Sequence, residues 1–291
     1  MKKLLILIGL FLIPQIALAS VISLTTIIST DIMSGDTTEI RVNILNSGDE
    51  AAYSVQASVL LPDDFTVNPK TNFVGTLNPN EPKELYFNIS LKDSAYEGTY
   101  PLIVLVDYTD ANGYPFSSVS PSSLIYKNPT VSKVSGVMPE LSLSGKESKK
   151  LTLTLRNIDD VEHNVNIELI IPRELKVEDE KNSVLLQSKE EKKLDFDVSS
   201  FSALPGSSYV VLATLDYDYE NSHYSSAVRS VIKIVAGRPS TFPIWVPIIT
   251  FIGLLIIFIY YLIRGKHASI SHYSHSKRGK EPTKSLEGNN K

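Results

Sequence analysis

Tyr100-Pro-Leu-Ile-Val-Leu-Val-Asp-Tyr108 and, 109 residues on, Tyr209-Val-Val-Leu-Ala-Thr-Leu-Asp-Tyr217 decide the fold. Each begins with Tyr, keeps apolar residues at every second position and ends in Asp-Tyr, and Asn112 and Asn221 follow at equal distance. Period-2 alternation is the mark of a strand with one face buried and the other wetted.

Working outward, the same correspondence continues. Leu85-Phe87 answers to Leu194-Phe196, Leu77 to Leu186, Val67 to Val177 and Leu61-Pro62 to Ile171-Pro172. The strand Val55 to Leu61 matches Val165 to Ile171, and Asn46 matches Asn157. The offset drifts only from 111 to 109 residues, so self-similarity predicts two tandem copies of one unit. Alternation recurs in Ile40-Val42-Ile44, in Tyr53-Val55-Ala57-Val59-Leu61 and in Leu85-Phe87-Ile89-Leu91. Asn46-Ser-Gly-Asp49, Asn78-Pro-Asn-Glu-Pro82 and Asn112-Gly113 supply the turns. No stretch before residue 237 sustains a helical period. Many short strands with frequent turns predict an all-β antiparallel sandwich for each copy, with Tyr53, Tyr100 and Tyr209 facing the cores. The boundary falls near Asn128-Pro129, giving domains 20–128 and 129–236, each expected to fold alone.

The residues Asn46, Gly48, Ala51, Val55, Leu61-Pro62, Leu77, Pro79, Gly98, Tyr100, Val104, Val106 and Asp107 form a pattern similar to prokaryotic Ig-like surface repeats. It resembles the CARDB (cell-adhesion-related) and NPCBM-associated domains, including S-layer-like ones. That resemblance implies an Ig-like fold and a structural or adhesive role at the cell surface, not a reaction. In the second copy, Asn157-Ile-Asp-Asp160 lacks the Gly of the motif.

The ends give an address. Residues 1–19 read as a signal peptide: Lys2-Lys3, an apolar run from Leu4 to Ile13 and Ala17-Leu-Ala19 as cleavage site. An uncleaved anchor is the alternative. After a short linker, 237–243, residues 244–263 hold 20 residues without a charge. As a helix they would extend ~30 Å, the thickness of a bilayer's hydrocarbon core; a buried core helix is the other reading. Trp245, Tyr260 and Tyr261 suit the membrane interface, and Arg264 and Lys266 act as a stop. The tail, 264–291, has seven Lys/Arg against two Glu. With that +5, the leader's +2 and a whole-chain charge of −4, residues 20–263 carry −11. Basic residues collect on the cytoplasmic side. The expectation is therefore a plasma-membrane, single-pass type I protein, its ectodomain extracellular or periplasmic and its C-terminus cytoplasmic. It would touch membrane lipid through the helix and a protein partner at the surface. The acidic ectodomain argues against nucleic acid.

Chemistry is sparse. There is no cysteine, which excludes thiol catalysis and Cys-ligated metal sites. The hairpins Asp107–Asn112 and Asp216–Asn221 cluster oxygens as calcium sites do, but without the complete ligand spacing, and read as polar turns. His163 and His223 fall at non-equivalent positions and read as solvated turn residues. Glu174 to Glu180 and Lys189 to Lys193 mix signs and read as wetted edges. No nucleophile or phosphate-loop motif occurs. The expectation is no enzyme, no cofactor and no metal. Tyr96, Tyr114, Tyr219 and Tyr224 at loop ends keep a glycan-binding accessory role open. Asn88-Ile-Ser90 is the one glycosylation sequon, with Asn88 predicted to point outward from its strand.

Overall fold

The computed structural model describes residues 21–92, 94–145, 147–235, 245–246 and 248–260. The expected signal peptide, the 237–243 linker, Ile244, Tyr261, Arg264, Lys266 and the basic tail lie outside the described residues.

Among the described residues the fold is nearly all β, in three sheets. Its first half runs β1 (Leu24–Thr30), β2 (Thr37–Asn46), β3 (Ala52–Leu60), β4 (Phe65–Asn68), β5 (Thr71–Leu77), β6 (Pro82–Leu91), β7 (Glu97–Thr109) and β8 (Pro115–Tyr126). The second runs β9 (Val134–Val137), β10 (Leu141–Ser144), β11 (Ser148–Asn157), β12 (His163–Ile170), β13 (Leu175–Val177), β14 (Lys181–Leu186), β15 (Glu191–Ser200), β16 (Ser208–Tyr219) and β17 (Ser222–Val235). Two four-stranded sheets, β1-β2-β6-β4 and β13-β15-β11-β9, each cover one core. Opposite them runs one nine-stranded sheet, β14-β12-β16-β17-β7-β3-β5, with β8 on β7 and β10 on β17.

Alternation sets the burial. Leu85, Phe87 and Ile89 of β6 are buried between exposed Tyr86 and Asn88, and pack with Ile40, Val42 and Ile44 of β2. Leu151, Leu153 and Leu155 of β11 do the same in the second core. The turns repeat as well. Asn46 is fully buried, donates from Nδ2 to Glu50 O (2.8 Å) and Leu77 O (3.1 Å), and accepts from Gly48 N (3.1 Å). Asn157, also fully buried, donates to Val161 O (2.8 Å) and Gln187 O (3.0 Å) and accepts from Asp159 N (2.9 Å). An Asn amide there satisfies carbonyls that burial would otherwise leave unpaired. The first turn closes tightly because Gly48 passes close to the Val21 backbone; a Cβ there would stand 2.1 Å from Val21 O.

Four expectations are corrected. Tyr53 is 39 % exposed, because Ser54 has φ 51° and a bulge shifts the β3 register between Ala52 and Val55, putting Ala52 in the core instead. His163 is buried: it opens β12, bonds Asp159 Oδ2 at 3.0 Å and lies 4.3 Å from the Tyr217 ring. Glu174, expected on a wetted edge, is fully buried. His223, expected to be solvated, has a side chain only 11 % exposed.

Beyond the linker, residues 245–246 and 248–260 are helical. Among the described residues no helix is long and apolar enough to cross a membrane.

Candidate functional site: the seam between the two cores

The two long strands β7 and β16 carry apolar residues on both faces. On β7, Tyr100, Leu102, Val104 and Val106 enter the first core, yet Ile103 on the opposite face is also buried. On β16, Tyr209, Val211, Ala213 and Leu215 enter the second core, yet Leu212 is buried behind them. Ile103, Val119 and Leu212 meet in a third cluster, joined by Leu105, Ile170 and Val210. Each half thus covers the other's outer strand face. Strands buried on both sides read as continuous apolar runs rather than clean alternation.

A hydrogen-bonded corner completes the seam. Ser222 and His223 of β17 pair in parallel with Glu97 and Gly98 of β7. Gly98 allows this approach, since a Cβ would lie 2.1 Å from His223 O. Thr130, just past the expected domain boundary, ties three segments together. Its hydroxyl donates to His223 O (2.5 Å) and accepts from Thr99 N (2.9 Å), while Thr99 Oγ1 donates to Thr130 O (2.9 Å).

The His223 ring stacks on Tyr100 at 3.9 Å and 3°. Its Nδ1 lies 2.7 Å from Asp218 Oδ1, a charge-assisted hydrogen bond. Asp216 Oδ1 stands 3.8 Å from Nε2, too far for a hydrogen bond, and acts by charge. Burial disfavours the imidazolium, but the two carboxylates outweigh it and push His223 up to about 9. Burial, with Asp64 and Asp218 nearby, also raises the Tyr100 hydroxyl, which donates to Tyr96 O at 2.7 Å. Across the seam a second polar group forms. Ser117 Oγ donates to Asp107 Oδ1 (2.6 Å) and stands 3.3 Å from Glu174 Oε1, with Arg173 Nε 3.5 Å from that oxygen.

Above the His223 corner opens a cleft of about 550 Å³. Asp63, Asp64 and half-exposed Tyr96 line one wall, and Glu168, Asp216 and Asp218 the other, with Lys181 among them. Such a surface accepts hydrogen bonds from hydroxyls and attracts cations. Among the described residues no group of three or more His, Asp or Glu is placed to hold a metal. Asp110 of the first acidic hairpin bonds its own turn, accepting from Asn112 N and Tyr114 N at 2.9 Å each.

Asn88 is exposed on the outer face of β6, between Glu39 and Asn68. Trp245 and Tyr260 are exposed helical residues. Tyr96 and Tyr114 are exposed, whereas Tyr219 and Tyr224 pack against the second core. Sequence reading missed Ile103, Leu105, Val210 and Leu212; their apolarity at the supposedly wet positions was the available signal.

Residues 21–111 match the CARDB family model. The CARDB match spans β1 to β7 and stops in the turn before β8. No curated protein sequence matches the chain. Among solved structures the chain is similar to a protein of unknown function from Porphyromonas gingivalis W83, at 13 % identity over 72 % of this chain and 99 % of that one, TM-score 0.29. It is similar to the periplasmic chaperone SfaE at 13 % identity over 72 % of this chain and 100 % of that one, TM-score 0.28. A non-cellulosomal cohesin from the archaeon Archaeoglobus fulgidus matches at 13 % identity over 36 % and 92 %, TM-score 0.28.

Proposed function

We propose that the chain is a single-pass type I protein of the plasma membrane whose tandem Ig-like domains, 20–128 and 129–236, form a structural or protein-interaction arm at the cell surface. The observation that carries this reading is the seam. Two sandwiches fused along apolar faces hold a fixed mutual geometry, which an adhesion or envelope scaffold needs and a string of free domains lacks. The repeated Asn46 and Asn157 turns and the CARDB match support the tandem Ig-like description. Cleavage after Ala19 would export the acidic arm, and helix 244–263 would anchor it in lipid, with Trp245, Tyr260, Tyr261, Arg264 and Lys266 at the interface. The role is non-catalytic and needs no cofactor. Asn88, exposed on β6, would carry a glycan where the host supplies the transferase.

Protease added to intact cells or spheroplasts is expected to remove both sandwiches while sparing a C-terminal tag. A protected ectodomain would overturn both the topology and the surface role.

The cleft favours a second reading, a glycan-binding accessory module. Tyr96 offers an exposed ring to stack on a sugar, and Asp63, Glu168 and Asn166 offer acceptors and a donor for its hydroxyls.

A further inference from the structure

The strand β1 ends the first four-stranded sheet, and among the described residues no strand pairs with its outer edge, although Thr30 Oγ1 at its far end donates to Ser123 O of β8 (3.3 Å). Val21 O and Ser23 O accept from Asp49 N and Ser47 N, so odd-numbered residues of β1 direct their backbone groups toward β2. By alternation, Leu24, Thr26 and Ile28 direct theirs to the open side. Natural proteins blunt such edges with charge, proline, bulges or short strands. From Val21 to Thr30 this one has neither charge nor proline, and its register with β2 is unbroken over seven residues. Its core-facing Leu24 and Ile28 are only partly buried, while Ile40, Val42 and Ile44 beside them are fully so.

The second half provides an internal comparison. Its counterpart β9 pairs Val134 with Asn157, as Leu24 pairs with Asn46. Yet β9 is four residues long, meets Pro139 soon after, and hands the chain to the other sheet as β10 on β17. The first half also crosses to the other sheet, at Met33 beside Tyr126 of β8, but only after seven uninterrupted residues of β1, whereas β9 crosses after four.

We propose that β1 is a self-association edge, pairing antiparallel with β1 of a second copy about a two-fold axis through Ile27. Only a register centred on a residue keeps hydrogen-bonding positions opposite one another. Centring on Ile27 bonds Thr26 to Ile28 and Leu24 to Thr30 of the second copy, using every open-edge group and the full strand. On the exposed face Ile27, 60 % accessible, then meets its own copy, and Thr25 meets Ser29. Branched and hydroxyl pairs of this kind stabilise sheets. Neither strand brings a charge to the other, so the match is self-complementary. The two sheets become one of eight strands, and the half-covered Leu24 and Ile28 gain a neighbour.

The chain's lack of cysteine makes disulfide trapping clean. Directly opposed, non-hydrogen-bonded residues stand ~4.5 Å apart at Cα, within disulfide reach. In the purified full-length protein under mild oxidation, Ile27→Cys is expected to form a covalent dimer. Thr25→Cys and Ser29→Cys should stay monomeric alone but cross-link when mixed. Thr26→Pro added to Ile27→Cys should abolish the dimer. Absence of the Ile27→Cys dimer, or equal trapping of exposed Phe73→Cys, would overturn the proposal. So would trapping of Thr25→Cys alone as efficient as that of Ile27→Cys, or cross-linking only to a different polypeptide once cells are treated.

Discussion

His223 lies flat on Tyr100 between Asp216 and Asp218, so its positive charge belongs to the seam. Its folded value of about 9 exceeds the unfolded imidazole's ~6.5. A group whose folded value is raised stabilises the protein fully below the unfolded value and loses that contribution as pH rises through the folded one. The seam should therefore be strongest below pH ~6.5 and weaken toward pH ~9, by at most ~3 kcal/mol. Thermal midpoints of the wild type should fall across this window, and those of His223→Gln should be flatter. Equal slopes for the two would remove His223 from the seam. Nothing local to Glu220-Asn-Ser-His-Tyr224 reveals this role, because its stacking partner is far off in sequence. Tyr53 departs from its expected place for a different reason. Strict alternation assigns it to the core, but one left-handed residue, Ser54, shifts the parity of everything before it.

At the scale of elements, what is set by neighbours in sequence was legible. The outward Asn88 on β6, the Asp110–Tyr114 turn between β7 and β8, and the buried Tyr100 and Tyr209 all follow from alternation and turn chemistry. The second faces of β7 and β16 were not, because an apolar residue at a wet position is common on any surface. Only two such strands facing each other give the pattern meaning. Gly98 tests this corner. Gly98→Ala would drive a methyl into the His223 carbonyl, and neither backbone can retreat without breaking the β7–β17 pairing. We expect a loss of ~1–3 kcal/mol, as for other overpacked sites. Hydrogen exchange should rise at residues 97–99 and 222–224 while the distant β2–β6 pairing stays protected. A neutral effect would mean the pairing is dispensable.

At the scale of the molecule, self-similarity in sequence suggests two units that fold alone, and the seam changes that expectation. Cutting near Asn128-Pro129 would expose Ile103, Val119 and Leu212 and break the bonds between Thr99 and Thr130. Truncating one such buried side chain, as in Leu212→Ala, costs ~2–5 kcal/mol where the surroundings cannot collapse. Leu212→Asp is harsher, since it buries an unpaired charge between the halves. Calorimetric unfolding of the full-length chain tests the shared seam most directly. The wild type should melt in one transition whose calorimetric and van't Hoff enthalpies agree, and Leu212→Asp should split it into two. Two resolved transitions in the wild type, unmoved by Leu212→Asp, would contradict a fused arm and leave two independent domains on a tether.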